Sequence, residues 1–100
     1  MHVIAKRALE DFWRVHPVAQ STLEAWYKLI HQGSFSTFTE LLQTFGSADY
    51  VAPYTIFNAG GNHFRIITAI HYNRQKVYIR YVLTHAEYDR WCRQHRSKLS

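Results

Sequence analysis

The chain has 100 residues, of which 47% are hydrophobic and 19% charged, a composition that folds and excludes intrinsic disorder. Its length predicts one domain over residues 1–100, and no stretch approaches the roughly 20 apolar residues of a membrane helix. Cys92 is the lone cysteine, which excludes an internal disulfide. Residues 1–13 lack the charge order of a signal peptide, so we expect a protein of the reducing cytoplasm, without a membrane partner.

The charge of the chain indicates an anionic partner. Lysine and arginine contribute 12 residues against 7 acidic ones, which gives a net charge of +5. A small basic domain suits either a nucleic acid or an acidic protein. Both remain open at this level, because an acidic protein can also cover a surface that binds nucleic acid.

The first half of the chain predicts a short strand followed by three helices. Pro17 suits the first turn of the second helix, which is expected to end at Gly33. Thr37 with Glu40 three residues later resembles a capping box at the start of the third helix. The predicted strand spans residues 2–5, and the predicted helices span 6–16, 17–33 and 38–46.

The second half predicts a β-meander closed by a helix. Pro53 restricts its surroundings to a loop or a sheet edge, and the glycines of "GGN" predict a turn with positive φ angles. Thr84 followed by Glu87 matches a capping box. The predicted elements are an edge segment at 47–53, strands at 54–59, 63–72 and 76–84, and a helix at 85–96. Helices, then a meander, then a helix indicate an α+β fold with a small antiparallel sheet.

The side-chain alternation of the two long strands predicts what lies beside Arg65. In strand 63–72, Phe64 and Ile66 share an apolar face, and Arg65 lies on the other face. Matching the apolar faces of strands 63–72 and 76–84 requires an even-length loop, which places Arg65 opposite Thr84 and Arg80 opposite Ala69. Arg65 is therefore expected beside the start of the last helix.

This register gathers Arg65, His85 and Tyr88 around one junction between a strand and a helix. A histidine can act as base or acid near neutral pH, and an arginine keeps its charge and stabilises a phosphorane-like transition state. A tyrosine donates a hydrogen bond or stacks on an unpaired base. Together they suit RNA cleavage without a metal or other cofactor, in which the 2′-hydroxyl attacks the adjacent phosphorus.

Each of these residues also has a purely structural interpretation. Arg65 could instead cap the sheet edge or pair with Glu87 or Asp89. His85 could be an ordinary residue of a first helical turn, and Tyr88 an ordinary core aromatic. The pattern of residues alone does not decide between the two interpretations.

The segments "IFNAGGNHFRII" and "VYIRYVLTHAEYDRW" resemble the signature of HigB-type toxins of bacterial toxin–antitoxin systems, within the RelE-like superfamily of ribosome-dependent mRNA endonucleases. The opening "MHVIAKRALEDFW" is also similar to the start of that family, so the resemblance covers nearly the whole chain. It implies a small antiparallel sheet with N-terminal helices packed on it and a C-terminal helix. It further implies cleavage of mRNA on the ribosome and neutralisation by a HigA-type antitoxin with a helix-turn-helix domain.

The resemblance also implies roles for individual residues. Arg65 matches the arginine of the "GN-x-x-R" strand, and His85 and Tyr88 match the "T-H-x-E-Y" pair, so these three are the predicted catalytic residues. Either His85 or Tyr88 is the general base. Better-known RelE relatives carry several lysines on the sheet, and this chain has none between Lys28 and Lys76. The predicted RNA-binding residues, which include candidates to replace those lysines, are Asn62, His63, Lys76, Arg80, Arg90 and Arg93.

The alternative function is a non-catalytic RNA- or protein-binding module that uses the same basic face. Arg90 and Arg93 illustrate the ambiguity, because they could follow rRNA phosphates or simply solvate the helix end and interact with its dipole. A transcription factor is disfavoured, because no recognition-helix pattern stands out.

Overall fold

A five-stranded sheet lies at the centre of the fold, with helices on both of its faces. The computed structural model describes residues 1–61 and 63–95. In this part of the chain the strands are β1 (His2–Ile4), β2 (Asp49–Val51), β3 (Tyr54–Ala59), β4 (Phe64–His71) and β5 (Lys76–Thr84). The helices are α1 (Arg7–Val15), α2 (Gln20–Gln32), α3 (Phe38–Thr44) and α4 (His85–His95). The predicted α+β class and the C-terminal helix are confirmed.

The strands follow the order β1-β5-β4-β3-β2. Neighbouring strands from β2 to β5 are antiparallel, whereas β1 pairs in parallel with the first residues of β5. The predicted meander is therefore present, and the parallel pair is a feature that the sequence pattern did not reveal. Strand β2 lies at the sheet edge, as the position of Pro53 predicted.

The predicted second helix is wrong at its start. Residues Pro17–Ala19 form a separate 3₁₀ turn, and α2 begins only at Gln20. His16 has φ −121° and ψ 75°, which breaks the helical path before the proline. At its other end α2 stops at Gly33, as predicted, where the backbone becomes extended.

The third helix is capped much as the sequence indicated. The hydroxyl oxygen of Thr37 accepts a hydrogen bond from the Glu40 backbone N–H at 3.2 Å. The carboxylate of Glu40 accepts one from the N–H of Ser36 at 2.8 Å, one residue earlier than in a standard capping box. The orphan donors at this helix start are thereby partly satisfied.

The sheet is covered on both faces, which creates two apolar layers. Helices α1, α2 and α3 cover one face, where the fully buried residues include Leu9, Leu23, Ile30, Leu41, Ile66 and Val77. Helix α4 covers part of the other face through a smaller cluster of Val51, Ile56, Ile67 and Trp91, with Tyr54, Leu83, Tyr88 and Cys92 packed against it. None of the helices in the described residues is long and apolar enough to cross a membrane.

The predicted register between the two long strands is wrong for two reasons: the hairpin closes two residues earlier on β4 than predicted, and β5 contains a β-bulge. Phe64 pairs with Thr84 and Arg65 with Leu83, one residue away from the predicted partner of Arg65. The register shifts between Ile67 and Thr68, which face Tyr81 and Ile79, so that Arg80 is the extra residue. Beyond the bulge Ala69 faces Tyr78, not Arg80, and the hairpin closes with His71 opposite Lys76.

The bulge decides which side chains of β5 lie under which helices. Val77 and Ile79 belong to the layer beneath the N-terminal helices, as predicted. After the bulge the alternation inverts: Val82 joins that same layer, and Leu83 packs beneath α4. The predicted shared face of Val77, Ile79, Tyr81 and Leu83 is therefore wrong, since one extra residue exchanges the faces of a strand.

The turn before β4 uses left-handed backbone, as predicted. Gly60 and Gly61 have φ angles of 60° and 59°. A Cβ atom on Gly60 would also lie 3.1 Å from the ring of Phe64, so both the conformation and the space favour glycine there. Asn62, the third residue of the "GGN" turn, lies outside the described residues.

We expect Ile67→Ala to lower the free energy of unfolding by about 2–5 kcal/mol, because Ile67 is fully buried between the sheet and α4. Chemical denaturation measures this change. Val15→Ala is the control, since Val15 is 74% exposed, and its effect should stay within about 0.5 kcal/mol. Equal effects of the two substitutions would contradict the packing of α4 on the sheet.

Candidate active site at the β5–α4 junction

Strand β5 passes directly into helix α4, and a capping box stabilises the start of the helix. The backbone N–H of Thr84 donates to Glu87 Oε1 at 2.9 Å, and the N–H of Glu87 donates to Thr84 Oγ1 at 3.3 Å. The N–H of His85 donates to the carbonyl of His63 at 3.0 Å. The start of α4 is thereby tied to the start of β4, and the predicted capping box is confirmed.

Arg65 is a buried charge beside this junction. Its side chain is on the α4 side of the sheet, in one row with Asn58 of β3 and Leu83 of β5, and the residue is only 8% exposed. Its Nη1 donates to the carbonyl of Phe64 at 3.1 Å. A buried guanidinium keeps its proton, so the site carries a fixed positive charge in surroundings that screen it weakly.

Tyr88 covers the guanidinium of Arg65. The Arg65 Cζ atom lies 4.9 Å from the centroid of the Tyr88 ring, within cation–π range. The Tyr88 ring is also nearly parallel to the ring of Trp91, with the two centroids 6.0 Å apart and the planes at 15°. The structure therefore brings two of the three predicted catalytic residues into direct contact. Of the two acidic residues considered as alternative partners of Arg65, Glu87 is bonded to Thr84 and Asp89 pairs with His85.

His85, the third predicted catalytic residue, is the first residue of α4. Its Nδ1 lies 3.2 Å from Asp89 Oδ2, and its side chain is 56% exposed. His85 lines a cleft of about 460 Å³ together with His63, Val18, Phe64, Thr84 and Ala86. We call the group of His63, Arg65, His85 and Tyr88 the junction site, because all four lie where β4 begins and β5 becomes α4.

The remaining predicted RNA-binding residues are spread along the molecule. Lys76 faces His71 at the hairpin end of β4, about 20 Å from Arg65 at the usual rise per residue of a strand. Arg80 protrudes at the bulge, with its Cζ 5.5 Å from the Tyr78 ring centroid. Arg90 lines a second cleft of about 360 Å³, between α4 and β5, and Arg93 lies exposed in the last turn of α4. Of these predicted residues only His63 lies at the junction site, while Asn62 is outside the described residues.

Two polar neighbours of the junction site were not predicted as site residues. Asn58 is the cross-strand partner of Arg65 on β3, and Asp89 is the partner of His85. The spacing of four between His85 and Asp89 on a predicted helix was an available signal. No comparable signal existed for Asn58, because its position depends on the β3–β4 register.

The junction offers a fixed cation beside an aromatic ring, and an imidazole that lines an open cleft. A phosphate is attracted by the cation, an unpaired base stacks on the ring, and the imidazole transfers a proton. Among the described residues, no group of three or more His, Cys, Asp or Glu side chains is placed to hold a metal ion.

Comparison with known proteins identifies related sequences. Residues 19–91 match the family described as "HigB_toxin, RelE-like toxic component of a toxin-antitoxin system". The "mRNA interferase toxin HigB" of Escherichia coli K12 is 37% identical over 101 residues, which cover 98% of this chain and 97% of that protein. The "mRNA interferase HigB" of Shigella flexneri shows the same identity and coverage, and that of Escherichia coli O6:H1 is 30% identical over 96% of both chains.

The capping box predicts a pH dependence of stability. The hydrogen bond from the Thr84 backbone lowers the pKa of Glu87 below its usual value, and the Thr84 hydroxyl, Arg90 and His16 act in the same direction, while burial opposes them. The ionised carboxylate therefore stabilises the fold above its unfolded-state pKa, and this contribution disappears as the pH falls through the lowered pKa. We expect Glu87→Gln to cost about 0.3–1 kcal/mol near neutral pH. In denaturation curves the two proteins should converge in acid, and a difference that persists below the pKa would contradict this.

Proposed function

Because this chain belongs to the HigB family of RelE-like toxins, we propose that it is an endoribonuclease that inhibits translation by cleaving mRNA. We propose further that cleavage takes place on the ribosome in the bacterial cytoplasm, and that a HigA-type antitoxin with a helix-turn-helix domain neutralises the toxin. The observation that carries the proposal is the contact between the buried Arg65 and Tyr88, in the first turn of the helix that the exposed His85 begins. The net charge of +5 suits both RNA and an acidic antitoxin.

In the proposed reaction, His85 Nε2 takes the proton from the ribose 2′-hydroxyl. The 2′-oxygen forms a bond to the adjacent phosphorus while the bond from phosphorus to the 5′-oxygen breaks. The leaving 5′-oxygen takes a proton from water, and His85 returns its proton to solvent. The products are a 2′,3′-cyclic phosphate and a 5′-hydroxyl, and the chemistry needs only the side chains of the junction site.

Arg65 stabilises the additional negative charge on the phosphorus oxygens in this proposal. A preorganised cation in a weakly screened site is worth more than the same cation in water, since no solvent has to reorganise. The Tyr88 ring lies over the guanidinium, and Arg65 as a whole is only 8% exposed. We therefore propose that Tyr88 turns onto a base next to the scissile phosphate when RNA binds, which uncovers Arg65.

Residues farther from the junction site would add affinity without taking part in the chemistry. His63 lines the same cleft as His85 and would contact the nucleotide next to the scissile bond. Lys76, Arg80, Arg90 and Arg93 would follow phosphates of the mRNA or rRNA, and Asn62 would bind RNA near His63. Their separation along the sheet and helix α4 suits a long anionic partner better than a small molecule.

We expect Arg65→Met to lower the cleavage rate by about 10²–10³-fold, and His85→Ala by about 10²–10⁴-fold. Methionine retains an unbranched chain beneath Tyr88 and removes the charge. The measurement is single-turnover cleavage of an mRNA, on programmed ribosomes and on naked RNA. In cells, primer extension after induced expression should show new 5′ ends with the wild type and not with either variant.

Arg14→Met is the matched control, because Arg14 is an exposed arginine of α1 that pairs with Asp11. It should cleave like the wild type. RNA binding by the wild type without any cleavage would overturn the endonuclease and leave the non-catalytic binding module. Equal cleavage of naked RNA would overturn the dependence on the ribosome alone.

Charge reversal on α4 tests the proposed phosphate contacts. We expect Arg90→Glu with Arg93→Glu to weaken ribosome association and to reduce its salt dependence by roughly 0.7–0.9 in the log–log slope per lost contact. Arg7→Glu with Lys28→Glu changes the net charge equally on α1 and α2 and is the control. Sedimentation with ribosomes at several salt concentrations measures both, and equal behaviour of the two double variants would contradict a specific role for α4.

A further inference from the structure

The contact between His85 and Asp89 has no role in the reaction described above. His85 Nδ1 lies 3.2 Å from Asp89 Oδ2 on consecutive turns of α4. We propose that Asp89 is a positioning residue: it holds the imidazole of His85 as the Nδ1–H tautomer and presents Nε2 to the 2′-hydroxyl of the RNA. This inference rests on the proposed function of His85 as the base.

The tautomer follows from the chemistry of the two groups. A neutral imidazole carries one proton, on either Nδ1 or Nε2, and the other nitrogen is then an acceptor. An ionised carboxylate can only accept a hydrogen bond, so an imidazole nitrogen that faces Asp89 has to carry the proton. Nε2 then holds the lone pair that a general base needs.

The backbone of His85 is already fixed, so its side-chain torsions are the remaining freedom. The His85 N–H is bonded to the carbonyl of His63, and the Thr84–Glu87 capping box encloses the same turn. The ring is half-exposed, and without a partner it would sample several rotamers. A partner one turn later in the same rigid helix restricts the ring to one of them, which is the condition for a productive approach.

The neighbouring groups of α4 are engaged in other contacts, which makes Asp89 the residue suited to this task. The carboxylate of Glu87 is bonded to the backbone of Thr84, and the Tyr88 ring covers Arg65. In the first two turns of α4, Glu87 therefore caps the helix, Tyr88 lies over Arg65, and Asp89 faces the imidazole of His85. An ordinary surface pair would have the same distance, so the experiment has to separate orientation from a small gain in helix stability.

The magnitude expected is modest. Asp89 is 53% exposed, so solvent screens the attraction between its carboxylate and the imidazolium that forms during the reaction. We therefore expect a roughly 10-fold loss of cleavage rate on removal of the carboxylate, far below the effect of removing His85 itself.

The test combines ¹⁵N NMR of the imidazole with single-turnover cleavage on programmed ribosomes. The variants are Asp89→Ala and Asp89→Asn, each with His85 present and with His85→Ala. Asp11→Ala is the matched control, since Asp11 is 56% exposed and is also paired within a helix. The full chain is used throughout, and circular dichroism confirms that each variant is folded.

We expect the wild type to show the Nδ1–H tautomer at a pH where the ring is neutral, and Asp89→Ala to show a mixture of tautomers with a roughly 10-fold lower rate at saturating RNA. Asp89→Asn should retain the tautomer and most of the rate, because the amide oxygen still accepts from Nδ1–H. In the His85→Ala background, Asp89→Ala should have no further effect on cleavage, since it acts through that ring.

Three results would overturn the proposal. They are an unchanged tautomer in Asp89→Ala, an Asn variant that is as slow as the Ala variant, and an equal loss of rate when His85 is already absent. A wild type that does not cleave RNA would instead refute the proposed function, and the imidazole shifts would then decide by themselves whether Asp89 sets the tautomer.

Discussion

The pairing of β4 with β5, including its bulge at Arg80, is the constraint on which both faces of the sheet depend. Before the bulge β5 places Val77 and Ile79 beneath the N-terminal helices, and after it Val82 continues that layer. The same extra residue turns Leu83 toward α4, where it packs beside Ile67 and Trp91. Without the bulge, Leu83 would face the N-terminal helices and α4 would lose part of its apolar support.

The junction site benefits from this arrangement because a strand enters a helix without a loop. The capping box of Thr84 and Glu87 satisfies backbone groups at the turn, and the bond from His85 to His63 ties it to β4. Such a junction holds side chains more rigidly than a loop would, which preorganises them for chemistry on a bound substrate. In the proposed mechanism, the same rigidity limits the orientations of the half-exposed imidazole of His85.

Burying Arg65 is unfavourable unless its charge is compensated, and the structure shows how part of this is achieved. The guanidinium donates to the carbonyl of Phe64 and lies against the Tyr88 ring, two interactions that offset some of the lost hydration. The benefit in the proposed mechanism is a cation that does not need to be desolvated again when RNA binds. The exposed cationic side chains of β5 and α4 differ from Arg65 because they are well hydrated and extend into solvent. Such side chains suit association with an extended anion.

The sequence by itself determined the element types, the caps and the alternation within β4, because these depend on contacts within a few residues. It also placed Arg65 beside Tyr88, since an error of one residue in register shifts a side chain by only about 3.3 Å. The register itself was decided by the tertiary structure. In "KVYIRYVLT" each of the two sets of alternate residues contains apolar side chains, so nothing in the local sequence marks Arg80 as the extra residue of the bulge. The burial of Arg65 and its pairing with Asn58 likewise depend on how β3, β5 and α4 enclose β4, because these contacts join residues far apart in the chain.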